Sequence, residues 1–176
     1  MEATARIDHK LFRVVREAAK RQPKDLAELA RRVADGSFVE FSYERDGVRH
    51  HAGWRTVRRY AGLAFTLGLL DDGLQPAAPS GSLADAAGFR SWLGDRTLRY
   101  MQRNRMSATA IRGAVQQLLH ETPPRLPGPD HVYRELDRPV PRQTFLSCLK
   151  IVALLRPGVL VLRTRRLVIA AGVVKL

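Results

Sequence analysis

Residues 126–171 read LPGPDHVYREL-DRPV-PRQTFLSCLKIVALL-RPG-VLVLRTRRLVIAA, and the punctuation of this stretch decides the fold. Pro129-Asp130 starts a helix expected over 129–136, because proline suits a first helical turn and a carboxylate there meets the positive end of the helix dipole. DRPV is a tight turn. A second amphipathic helix is expected over 141–155, with Phe145, Leu149 and Val152 facing the core. Arg156-Pro157-Gly158 ends it. The apolar runs on either side of Thr164-Arg165 then read as two short strands of a hairpin. Residues 138–176 contain no Asp or Glu, whereas Arg138, Arg142, Lys150, Arg156, Arg163, Arg165, Arg166 and Lys175 are basic.

Just upstream, Ser107 can cap a helix over about 108–121, striped by Ile111, Val115, Leu118 and Leu119. The proline-rich ETPPRLPGPD stops it. Helix, helix, turn, helix, hairpin resembles a winged helix-turn-helix unit. The resemblance implies that the last helix lies in a DNA major groove and that no cofactor is needed. Arg142, Gln143, Thr144, Ser147 and Lys150 would then face the groove, where Arg and Gln suit guanine and adenine edges. Arg163, Arg165 and Arg166 fall at the wing tip, placed for phosphates or a minor groove.

The N-terminal part repeats this order more loosely. Asp8 can cap a helix through HKLFRVVREAAKRQ, with Leu11, Val14, Val15 and Ala18 inward and Arg13, Arg16, Lys20 and Arg21 on a solvated face. Pro23 is expected to start the next helix, PKDLAELARRVAD, and Gly36 to end it. SFVEFSYERDGVRHH alternates with period two around Asp46-Gly47, which predicts a hairpin packed by its aromatic residues. A long helix is expected from Trp54 to Leu70, with Val57, Ala61, Ala64 and Phe65 inward and Arg55, Arg58 and Arg59 crowding its first turns. Its ending, LGLL followed by Leu74-Gln75-Pro76, resembles a winged-helix recognition helix and the short strand after it. The hairpin before that helix departs from the usual pattern. RTVRRYAGLAFTLGLL and PRQTFLSCLKIVALL share few identities, so two similar units are read here without a detectable repeat.

LQPAAPSGS is a wing remnant or a connection between domains. SLADAAGFRSWLGDRTLRYMQRNR reads as one or two helices with a basic face that includes Arg90, Arg96, Arg99, Arg103 and Arg105. Trp92 and Tyr100 there could pack between domains or stack on bases. The expected fold is therefore mainly α with short β-hairpins, an α+β chain. It comprises an N-terminal winged-helix-like domain over 1–80, a basic helical linker over 81–106 and a C-terminal winged helix-turn-helix domain over 107–176.

The chain has 176 residues, 45% of them hydrophobic, enough for a packed core. Its net charge is +13 and its isoelectric point about 11.1, a balance that points to a polyanionic partner. Lysine occurs only at positions 10, 20, 24, 150 and 175; the other basic residues are arginine, which grips phosphates bidentately. A GC-rich genome also favours arginine codons. One cysteine, Cys148, excludes an intramolecular disulfide. The charged opening MEATARIDHK and the lack of a membrane-length apolar run lead us to expect a cytoplasmic, nucleoid-associated protein.

No catalytic constellation is legible. His50-His51, even with Cys148, lacks metal-ligand spacing, and no phosphate-cradling glycine loop occurs. We expect no enzyme, no metal and no cofactor. The DNA-contacting candidates are Arg55, Arg58, Arg59, Arg99, Arg103, Arg142, Gln143, Thr144, Ser147, Lys150, Arg163, Arg165 and Arg166. The partner is expected to be double-stranded DNA, with a homodimer or protein partner possible and no membrane. Two rival readings remain: a protein-interaction scaffold of a replication, recombination or phage-defence complex, using the aromatic residues at 38–43, and an RNA-binding module.

Overall fold

A computed structural model describes residues 6–79, 81–121, 127–163 and 167–170. Among them are seven α-helices and two two-stranded antiparallel sheets, so the chain is mainly helical with short hairpins. It divides into two compact units, Met1–Leu93 and Gly94–Leu176.

The first unit is built on α1 (Ile7–Lys20), α2 (Leu26–Asp35) and α3 (Trp54–Thr66), each packed on the other two. Leu11, Val14, Val15 and Ala18 of α1, Leu29, Ala30 and Val33 of α2, and Val57, Ala61 and Ala64 of α3 are all wholly buried. Two starts differ from expectation. Asp25, not Pro23, begins α2: its carboxylate accepts from the Glu28 amide at 2.7 Å, which a proline two residues earlier cannot do. Asp8 does not cap α1, since Arg6 holds the cap position. Asp8 lies inside the first turn with its side chain wholly buried, gripped by Arg6 at 2.8 and 3.2 Å and 3.3 Å from Arg90 Nε.

The face of α1 read as solvated is exposed at Arg16, Lys20 and Arg21, but Arg13 is half-buried. Arg13 donates to Glu40 at 2.9 and 3.1 Å and lies over the Phe38 ring, and Lys20 donates to Glu17 at 2.7 Å. Residues 39–41 form a short 3-10 turn rather than the start of a strand, which drives Phe41 into the core. β1 (Ser42–Arg45) and β2 (Val48–His51) then pair around Asp46-Gly47, both at positive φ (53° and 75°), as a tight hairpin turn demands.

α3 ends four residues earlier than expected. Leu67 caps it, and the chain turns so that Leu70 pairs with Pro76 in a single β-bridge, closed by Ala77 N–H to the Leu69 carbonyl at 3.0 Å. The expected Leu74-Gln75-Pro76 strand is reduced to that bridge. Phe65 is corrected outward: it is 40% exposed, because Leu63 and Ala64 take the inner side of the last turn.

Where a linker was expected over 81–106, α4 (Ala86–Arg103) is one continuous helix, and the boundary between the units falls inside it. In the first unit Phe89 packs tilted against Phe12 at 4.8 Å and meets Trp92 edge-on at 5.9 Å. Trp92 is thus a core residue and offers no ring to a base.

In the second unit α5 (Ala108–Glu121), α6 (Pro129–Glu135) and α7 (Arg142–Leu155) lead to β3 (Leu160–Arg163) and β4 (Leu167–Ala170). Ser107 Oγ accepts from the Ala110 amide and caps α5. The turn between α6 and α7 places Asp137 and Arg138 at positive φ (57° and 51°) and is tied by Tyr133 Oη to the Val140 carbonyl at 2.9 Å. Gly94 lies under the Arg156 guanidinium, which reaches Asp95 at 2.8 Å; a Cβ at that position would come within 2.9 Å of it.

Burial pushes the Asp8 carboxyl up, but the hydrogen bonds and charge of Arg6, aided by His9 and Arg90, outweigh it and hold the group below the ordinary carboxylate value. A depressed folded-state pKa stabilises above the unfolded value, and the benefit is lost as pH falls through the folded one. Asp8→Asn should therefore cost about 1–3 kcal/mol at neutral pH. In urea titrations the gap to wild type should close in strong acid; a pH-independent gap would contradict this assignment.

Candidate nucleic-acid interface

The inward stripe of α3 determines what the helix shows outside. With Val57, Ala61 and Ala64 buried, the 3.6-residue period sends Arg55, Arg58 and Arg59 to the opposite side, and all three are exposed. Gly62 continues that face, and nothing lies within 4 Å of where its Cβ would be. No carboxylate among the described residues pairs with these arginines. Arg55 and Arg31 instead lie over the Trp54 ring, at 5.9 and 5.0 Å. Residues 48–70, covering β2, α3 and the turn after it, contain no Asp or Glu.

The helix starts show a consistent division. α2, α4 and α5 have side-chain caps from Asp25, Asp85 and Ser107. α1 and α6 carry Asp8 and Asp130 in the first turn. α3 and α7 have neither a capping side chain nor an acidic first-turn residue. Their first amide donors are left without side-chain acceptors, at the end of the helix dipole that favours anions.

In the second unit α7 exposes Arg142, Gln143 and Lys150 and leaves Thr144 half-buried. Ser147 is a correction: it is 8% exposed, because Phe145, Cys148, Leu149, Ile151 and Val152 bury a wider arc than the three core positions expected. Arg142 is exposed but not free. It holds Asp130 of α6 bidentately, at 2.7 and 2.9 Å, which keeps the Asp130 carboxyl below and the Arg142 guanidinium above their usual values. Nothing local in the sequence signals this pair; only the fold brings the first turns of α6 and α7 together.

Arg99 and Arg103 are exposed one turn apart on α4, with no ion pair among the described residues. Arg163 falls at the end of β3, paired in register with Leu167. Arg165 and Arg166 lie outside the described residues.

The hairpin β1–β2 was expected to be packed and is not. Every residue of both strands is exposed except Ser42, which is half-buried. The period-two pattern signalled a strand pair correctly but not what, if anything, covers it. An open groove of about 780 Å³ lies beside α3, lined by residues that include Lys24, Asp25, Leu26, Arg58, Phe65 and Asp72. Among the described residues no three His, Cys, Asp or Glu side chains converge as metal ligands, and no helix is long and apolar enough to cross a membrane.

No family model, curated protein or solved structure matches the chain.

Cys148 is wholly buried on α7, and burial pushes its thiol up to about 12. A thiol-disulfide reagent at mildly alkaline pH should leave the native protein unlabelled and label one thiol after denaturation. Rapid native labelling would show that this face of α7 opens to solvent.

Proposed function

We propose that the chain is a double-stranded DNA-binding protein, a non-catalytic transcriptional regulator or DNA-binding accessory factor of the nucleoid, built from two winged helix-turn-helix-like units. The observation that carries the reading is the outer face of α3. Arg55, Arg58 and Arg59 stand there unpaired with any described carboxylate, beside an acid-free helix start. Like charges held so close repel one another, and a phosphate backbone relieves that repulsion.

α7 supplies the second contact. Gln143 and Lys150 lie seven residues apart on its exposed ridge, the first placed for an adenine edge and the second for a phosphate. Arg142 joins them when a phosphate or guanine replaces Asp130 as its partner. Arg99 and Arg103 on α4 extend the basic surface available to DNA. Two linked modules raise affinity through effective concentration without any new contact.

The test is a fluorescence-anisotropy titration of the full chain with random duplex DNA, single-stranded DNA and RNA over a range of salt. Duplex should bind best, with an affinity that falls steeply with salt. The triple substitution Arg55→Ala, Arg58→Ala, Arg59→Ala should weaken duplex binding and lower the salt slope by about 2–3. Equal, weak binding to all three polymers would overturn the proposal, and preference for structured RNA would replace it with an RNA-binding module.

A further inference from the structure

We propose that the hairpin β1–β2 is a second DNA-contacting arm of the first unit, a proposal that rests on the α3 reading above. An isolated two-stranded hairpin is marginal in water, and strands normally gain stability by burying one face. This one buries neither. What holds it is local: the positive-φ turn at Asp46-Gly47, the cross-strand stack of Tyr43 on His50 at 5.5 Å, and its anchored base. At that base Ala52 N–H donates to the Phe41 carbonyl at 2.8 Å, and buried Phe41 meets Tyr60 of α3 edge-on at 5.5 Å. The arm is thereby fixed to the helix that presents Arg55, Arg58 and Arg59.

Register divides its side chains into two faces. Ser42 opposes His51 and Glu44 opposes Arg49 on one; Tyr43 opposes His50 and Arg45 opposes Val48 on the other. The second face has no carboxylate among its strand residues. It offers the guanidinium of Arg45 beside Val48 and Tyr43, which are 56% and 48% exposed. Arg45 has only a long contact with exposed Asp46, at 3.6 Å. A cation flanked by exposed apolar groups on a ribbon two strands wide suits a DNA groove, since the major groove admits a two-stranded ribbon. Charge complementarity acts through one face rather than the whole hairpin. Glu44 lies on the face of Arg49 and Asp46 at the turn, so the strand residues of the Arg45 face carry no acid, and β2 runs directly into the acid-free α3, which favours a polyanion over a protein partner. The arm precedes its helix in the chain, so it is separate from the hairpin that follows α7.

The experiment compares duplex binding of the full-length wild type with two hairpin variants and with the α3 triple variant. One hairpin variant is Tyr43→Thr, Arg45→Thr, Val48→Thr, which keeps strand propensity; the other is Arg45→Glu alone, at an exposed position near the turn. Both should lose about tenfold or more in duplex affinity, and Arg45→Glu, which leaves the Tyr43–His50 stack in place, should keep the wild-type thermal midpoint. If both bind duplex like wild type while the α3 variant is impaired, the arm proposal falls and the α3 reading stands. If the wild type binds no duplex, both fall. Should the threonine variant unfold, Arg45→Glu decides: unchanged affinity overturns the arm, and reduced affinity supports it.

Discussion

Close packing of α3 on α2 and α1 is the constraint on which the rest of the first unit depends. Val57, Ala61 and Ala64 are the contact residues, and the two alanines let helix backbones approach closely. With that stripe committed inward, Arg55, Arg58 and Arg59 have only the solvent side left. The same periodicity works more severely in α7. Its buried arc takes in Phe145, Ser147, Cys148, Leu149, Ile151 and Val152, so the helix shows outside little more than a ridge through Gln143, half-buried Leu146 and Lys150. One helix presents a broad basic face and the other a narrow polar ridge.

Electrostatics follow from where the carboxylates go. Asp25 and Asp85 cap helices, Asp8, Glu17 and Glu40 meet cations in buried or half-buried pairs, and Asp95 and Asp130 hold Arg156 and Arg142. The acidic minority is largely engaged inside each unit. The surplus of positive charge is left on α3 and on the second half of α4, while the hairpin before α3 balances Arg45 and Arg49 against Glu44 and Asp46. The exposed Asp130–Arg142 pair contributes little to stability, because solvent screens it. Its consequence is for recognition: a ligand must displace a carboxylate before it gains that guanidinium.

Much of this architecture was legible in the residues. The helices at 108–121, 129–136 and 141–155, and the strands after them, lie within a residue or two of their expected limits, because Ser107, Pro129 and Pro157-Gly158 are unambiguous start and stop signals. What was not legible depended on contacts distant in sequence. Asp8 has the composition of a cap, but it is buried inside the first turn, held chiefly by its neighbour Arg6, with Arg90 from α4 3.3 Å away. Arg13 was expected in solvent and instead finds Glu40, 27 residues away. The pattern at 38–51 encodes a hairpin, yet no period-two signal says whether a partner layer exists, so its exposure came only with the fold. The exposed arginines of α3 followed from periodicity alone, whereas Asp130 across from Arg142 did not.

The most direct test of the central claim, that DNA lies on the outer faces of α3 and α7, is amide hydrogen exchange on the full chain with and without saturating random duplex. The account predicts slowed exchange concentrated at residues 54–59 and 142–150, with the buried ends of α1 and α2 unchanged. Protection that falls elsewhere, or none at all under conditions where duplex binds, would contradict it.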